Sequence, residues 1–212
     1  MKFDKQIIEK LTEALRLPLP GEAVQYRMAP TYRPHLSKEQ ILSNNPRQSG
    51  VMLLLYEKNG LLNIVFTQRK AYEGVHGGQM SFPGGKKEPG EDITETALRE
   101  TCEEIGIGRS KIRLIGKLSE LYIPPSNFLV YPSVGFAEQI DTFIPQQSEV
   151  EKIVEIPVAF FMDKTNINMQ QKIKLFNNTI VHVPAYVFEG HIIWGATAIM
   201  LSEFTFIMET LN

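Results

Sequence analysis

The amino-acid sequence predicts an α/β (α+β) chain in which one mixed sheet lies between helical layers. Apolar runs of strand length are interleaved along the chain with stretches of helical periodicity. Some neighbouring strands are separated only by turn residues and others by a helix, so both hairpins and crossovers are required. There is no internal repeat and no second apolar set able to form its own core, which predicts one domain with an N-terminal elaboration.

The elements follow in order. Ile7, Ile8, Leu11 and Leu15 form an apolar stripe on a first helix that must end before Pro18. The proline-rich stretch from Leu17 to Pro34 reads as irregular chain on the surface, and a short helix is expected near Lys38 to Leu42. Residues 51–57 (VMLLLYE) and 61–69 (LLNIVFTQR) flank Lys58-Asn59-Gly60, and an Asn-Gly pair between apolar runs predicts a hairpin. Residues 112–123 and 128–138 are two further strand candidates, split by Pro124-Pro125-Ser126-Asn127. Residues 149–162 read as a strand feeding a short helix, residues 172–176 and 180–190 as a hairpin-like pair, and Ala196 to Leu211 as a closing helix.

Composition excludes several functions. A net charge of -2 without a basic tract offers no footprint for a nucleic-acid backbone. No apolar run reaches the ~18 residues of a membrane span, and the first residues lack the apolar segment of a secretion signal. The single cysteine, Cys102, permits no internal disulfide and fits a reducing compartment, so the expectation is a cytoplasmic protein with no nucleic-acid or membrane partner. A homodimer is compatible with the sequence.

The chemistry concentrates between Gly84 and Ile107. Asp92 followed by Glu95 predicts a capping-box start to a helix, and Gly106 predicts its left-handed end. At ~100° per residue Ala97, Leu98, Thr101 and Ile105 share one arc that faces the core, while Glu100, Glu103 and Glu104 share the arc beside it. Like charges at this spacing repel, and the C-terminal pole of a helix disfavours anions. A hard divalent cation removes both penalties by taking carboxylate oxygens into its shell. Upstream, Phe82-Pro83-Gly84-Gly85 places two glycines where backbone can approach a ligand, and the Gly85 carbonyl is available to a metal.

Gly85, five residues, Glu91, seven residues, then Arg99-Glu100-Thr101-Cys102-Glu103-Glu104-Ile105-Gly106-Ile107 resembles the Nudix box, G-x5-E-x7-R-E-U-x-E-E-x-G-U, where U is aliphatic. Thr101 is the one departure; it is isosteric with valine and able to bond a carbonyl one turn back. The resemblance implies a Nudix-type α/β/α sandwich that hydrolyses a nucleoside diphosphate linked to another moiety, with Mg²⁺ or Mn²⁺ as cofactor. It implies Glu100 and Glu104 as metal ligands, Glu103 as a shared ligand or the base, and the Gly85 carbonyl completing the shell. Arg99 and Glu91 are then an orienting ion pair behind the acids. Residues 1–48 would be an N-terminal helix and extension packed on a Nudix domain of residues 49–212. A Nudix fold reused as a non-catalytic sensing module would be expected to lose box acids, and this chain keeps all of them.

The preceding residues narrow the substrate. Thr67, Arg69, Gly78 and Phe82 to Gly85 match, in register, the extra motif of the coenzyme A diphosphatase branch, LLTxR(S/A)x3Rx3Gx3FPGG. Lys70 replaces its small residue and Gly74 its second arginine. This resemblance implies cleavage of coenzyme A or a derivative into phosphopantetheine and adenosine 3',5'-bisphosphate. The missing arginine keeps another diphosphate, such as ADP-ribose, as the alternative. Candidate substrate-binding residues are Arg69, His76 and Arg33 as cations or donors, and Tyr122, with Phe128 and Trp194, as groove walls.

Overall fold

The computed structural model describes residues 3–70, 77–138, 140, 142–175 and 177–211. Its helices are α1 (Lys5–Ala14), α2 (Glu22–Gln25), α3 (Lys38–Ser43), α4 (Ile93–Ile105), α5 (Val158–Met162) and α6 (Gly195–Glu209). Its strands are β1 (Arg47–Lys58), β2 (Leu61–Arg69), β3 (Met80–Ser81), β4 (Gly84–Lys86), β5 (Arg113–Lys117), β6 (Leu121–Ile123), β7 (Phe128–Ala137), β8 (Val150–Pro157), β9 (Ile167–Lys174), β10 (Ile180–Phe188) and β11 (His191–Trp194).

The expected mixed sheet is present and β1 organises it. Asn59 (φ 54°) and Gly60 (φ 74°) both adopt the left-handed conformation that a tight hairpin turn demands, so β2 folds back antiparallel with Leu55 opposite Ile64. On its other side β1 pairs in parallel with β7 along its length, from Arg47↔Phe128 to Tyr56↔Ala137. Side chains of β1 alternate between two cores, as strand geometry requires. Leu53 and Leu55 join Ile8, Leu11, Phe66 and Phe204 on the face covered by α1 and α6, whereas Met52, Leu54 and Tyr56 join Ala97, Leu98 and Ile105 under α4. Helices therefore cover both faces.

One feature of the sheet positions the site. β2 pairs with β1 only through its residues 61–64; beyond them that edge turns to β3, while the opposite edge pairs with β8 from Asn63 to Arg69. The segment from Met80 to Lys86 fills the resulting fork, pairing with β2 at Thr67↔Ser81 and with β1 at Gly50↔Gly85. The Met52 amide donates to the Pro83 carbonyl at 2.9 Å and closes the wedge.

Three elements differ from the expectation. The stretch from Leu17 to Pro34, expected as irregular chain on the surface, holds α2 and a 3-10 turn over Tyr26–Met28, with Val24, Gln25 and Met28 buried against α6. Residues 112–123 form two strands instead of one, β5 and β6, both antiparallel to β7. They are broken at Leu118 and Ser119, whose amides are drawn to the Pro132 carbonyl (2.9 Å) and the Glu203 carboxylate (3.0 Å). The late hairpin is extended by β11 into a separate three-stranded antiparallel sheet that packs on α6.

Glu203, fully buried on α6, accepts from the Gly21 amide (3.0 Å), Gln25 Nε2 (3.0 Å), the Ser119 amide (3.0 Å) and Ser119 Oγ (2.6 Å). Four donors replace the water that a buried carboxylate loses, and they tie α2 and the β5–β6 corner to α6. Among the described residues no helix is long and apolar enough to cross a membrane.

Candidate active site

The helix α4 is fixed at both ends by the residues expected to do so. Asp92 accepts from the Thr94 amide at 2.8 Å, and Gly106 (φ 69°) returns its amide to the Cys102 carbonyl at 3.0 Å. The capping box itself does not close, because Glu95 is drawn instead into a bidentate pair with Arg109. Thr101, fully buried, bonds the Ala97 carbonyl at 2.6 Å, so its hydroxyl is satisfied within the core stripe. Gly50 permits the seating: a Cβ there would lie 2.4 Å from the Ile93 carbonyl oxygen and 2.9 Å from the Ala97 amide.

The three clustered glutamates differ sharply in environment. Glu104 is 2% exposed; its Oε2 accepts from the Gly84 amide at 3.2 Å and Thr67 Oγ1 at 3.3 Å, and its Oε1 lies 3.9 Å from Arg69 Nη2. Glu100 lies against Gly85, where a Cβ would meet its carboxyl carbon at 2.3 Å. Glu103 is half-exposed. Arg99 gathers the other acids: Nε and Nη2 bind both oxygens of Glu91 (2.9 and 3.2 Å), and Nη1 reaches Glu100 (3.0 Å) and Glu103 (3.3 Å). Thr96 Oγ1 adds a 2.7 Å bond to Glu91.

This arrangement separates the acids electrostatically. The Arg99 guanidinium holds the Glu91 carboxyl down at about 2, despite its desolvation. Burial pushes Glu104 up to about 7, against the opposing pull of the Arg69 charge and the Gly84 amide. Burial also raises Glu100, with Arg99 opposing. Glu149, in the turn before β8, adds negative charge that both Glu100 and Glu104 feel.

A family model described as the NUDIX domain matches residues 46–173. The chain belongs to the Nudix family. It is 30% identical over 169 residues to the mitochondrial coenzyme A diphosphatase of Homo sapiens, covering 77% of this chain and 70% of that protein. To an uncharacterized Nudix hydrolase of Photorhabdus laumondii it is 31% identical over 163 residues, covering 76% and 85% respectively. The crystal structure of a MutT/nudix family protein from Enterococcus faecalis aligns with 98% of this chain and 76% of its own at a TM-score of 0.49 and 18% identity.

Nudix hydrolases use divalent metal ions, and the donors present here fit one. All are oxygens, as a hard cation prefers: the Glu100, Glu103 and Glu104 carboxylates and the Gly85 carbonyl. Glu100 and Glu104 are carboxyls that burial raises even though an arginine lies beside each, Arg99 and Arg69 respectively. The absent Cβ of Gly85 leaves the space that the Glu100 carboxylate fills. Among the described residues, however, no three acidic, histidine or cysteine side chains already converge as a metal cage. Arg99 draws Glu100 and Glu103 to one side, while Glu104 faces β2 and the fork.

The remaining candidates divide into two places. Arg69 lies beside Glu104, bonding the Gly84 carbonyl at 3.2 Å. Arg33 and Tyr122 come together elsewhere, with Arg33 Nη2 on the Tyr122 carbonyl at 2.5 Å, in a pocket of about 320 Å³ whose lining contains no box acid. His76 and Gly74 lie outside the described residues. Phe128 sits under the Arg47 guanidinium at 4.2 Å, and Trp194 is half-buried at the start of α6. Sequence reading gave no role to Thr67, Gly50, the Gly84 amide or Glu149. For Thr67 a signal existed: it stands two residues before Arg69 on a strand and so faces the same way.

Proposed function

We propose that this Nudix hydrolase cleaves the diphosphate bond of coenzyme A or a close derivative, giving phosphopantetheine and adenosine 3',5'-bisphosphate. The observation that carries the reading is a contact. The Gly84 amide, inside the upstream substrate motif, donates to Glu104 of the box at 3.2 Å, so the two motifs meet. The 30% identical human coenzyme A diphosphatase supports it.

Glu100, Glu103, Glu104 and the Gly85 carbonyl would hold Mg²⁺ or Mn²⁺. When bound, the ion neutralises diphosphate oxygens and activates a water. The chain's own residues supply the rest. Glu103 has the most solvent access of the three acids and suits proton acceptance from water; Arg99 Nη1 binds it at 3.3 Å. Arg99, pinned in turn through Nε and Nη2 by both oxygens of Glu91, orients Glu100 with Nη1, which also reaches Glu103. Glu104, walled off from bulk solvent, acts where charge is least screened.

A second reading, cleavage of another nucleoside diphosphate derivative such as ADP-ribose, is favoured by Gly74, which stands where the motif has its second arginine. Incubating the protein with Mn²⁺ and either compound, then separating products, decides between them. Phosphopantetheine and adenosine 3',5'-bisphosphate are expected from coenzyme A. Intact coenzyme A beside cleaved ADP-ribose would overturn the first reading in favour of the second.

A further inference from the structure

The T-x-R pattern of β2 faces the box helix. Val65, Thr67 and Arg69 alternate onto one side of the strand, and Val65 already belongs to the core beneath α4. On that side Thr67 is fully buried and donates to Glu104 Oε2 at 3.3 Å, beside the Gly84 amide at 3.2 Å. Arg69 Nη2 spans the Gly84 carbonyl at 3.2 Å and Glu104 Oε1 at 3.9 Å. Gly84 thus offers its amide to Glu104 and its carbonyl to Arg69, linking all three groups. Ser81, opposite Thr67 across the β2–β3 pair, closes the side of the cradle with its hydroxyl 3.4 Å from that of Thr67.

We propose that Thr67 and Arg69 are positioning residues for Glu104, with Arg69 acting as a tethered counter-charge that a divalent cation displaces from Oε1. This rests on the reading of Glu104 as a metal ligand and extends it. Thr67 fixes one carboxylate oxygen by hydrogen bonding and leaves the other to a positive charge. Arg69 supplies that charge first, and its 3.9 Å separation is long enough for an ion with a stronger claim on the oxygen to replace it. The spacing T-x-R then follows from strand alternation, since only residues two apart reach the same carboxylate from below.

Titrating Mn²⁺ into the protein at about pH 8, where free carboxylates are ionised, and following the spectrum of the unbound ion by electron paramagnetic resonance tests this. Arg69→Gln should bind Mn²⁺ about fivefold more tightly, since a competing charge is gone, while kcat falls and KM for the diphosphate changes little. Arg69→Lys should restore wild-type Mn²⁺ affinity. Thr67→Val, which keeps shape, should weaken Mn²⁺ roughly twofold to fivefold. If Arg69→Gln leaves Mn²⁺ affinity unchanged and raises KM tenfold or more, Arg69 contacts substrate and the cradle is overturned alone. Weaker Mn²⁺ binding by Arg69→Gln would also overturn the displacement. A wild-type chain that leaves Mn²⁺ free would overturn the metal-ligand reading together with it.

Discussion

Glu104 holds its charge in a poorly solvated place, and that has a pH consequence. Its carboxyl is raised from the ordinary 4.5 to about 7, so the metal-free folded chain binds this proton more tightly than the unfolded chain does. The stability it contributes is complete below about pH 4.5 and is lost as pH rises through about 7. A shift of this size is worth about 3 kcal/mol. Glu91 has the opposite sign: held down at about 2, it stabilises above 4.5 and its contribution disappears as pH falls toward 2. Urea unfolding of chelator-treated protein should therefore show a decline between about pH 4.5 and 7 that Glu104→Gln flattens and added Mg²⁺ reverses. An unchanged slope in that variant would assign the decline to other groups. The burial of Glu104 was half-legible in sequence. At ~100° per residue it falls only about 20° from Ala97, at the border of the acidic arc and the core stripe. Periodicity alone does not say on which side of such a border a residue sits.

At the scale of elements, two glycines on paired strands do different work. A Cβ on Gly50 would collide with backbone, the Ile93 carbonyl oxygen at 2.4 Å, which has nowhere to retreat without lifting α4 from β1. A Cβ on Gly85 would collide with the Glu100 carboxylate, whose carbon is 2.3 Å away at the end of a flexible side chain. Gly50→Ala should accordingly cost about 1–3 kcal/mol of stability, measured by urea unfolding. Gly85→Ala should fold nearly as stably yet lose most turnover, because Glu100 is displaced. Equal stability losses in the two variants would refute the distinction. The β1–β2 hairpin was readable from Asn59-Gly60 because turn chemistry is local. The fork that admits β3 and β4 between β1 and β2 was not, because it arises where β2 leaves β1 after Ile64 and turns that edge to β3, while β8, a segment distant in sequence, holds its other edge. The site's main-chain donors, such as the Gly84 amide, depend on that fork and were hidden with it.

At the scale of the molecule, one buried carboxylate ties the first residues to α6, beside the core packing of Ile8 and Leu11. Glu203 satisfies donors from three segments, the Gly21 turn, Gln25 of α2 and Ser119 at the β5–β6 corner. Glu203→Ala strands all of them in a dry interior and should cost at least about 3 kcal/mol in urea unfolding, with residues 3–25 becoming the first to exchange amide hydrogens. A loss under 1 kcal/mol would mean that packing of α1 suffices to hold the extension. The layered sheet was legible because the alternation of apolar runs and helices dictates it. The role of Glu203 was not, since a lone glutamate in an apolar helix gives no hint of the partners it will meet. In the proposed mechanism the box acids, served by a divalent ion, cleave a diphosphate. Its most direct test is turnover of coenzyme A with Mn²⁺ by wild type and Glu104→Gln, with thermal melting recorded for both. Turnover reduced by roughly a hundredfold or more in a variant that still melts cooperatively is the expected result. A folded Glu104→Gln protein as active as wild type would contradict the claim.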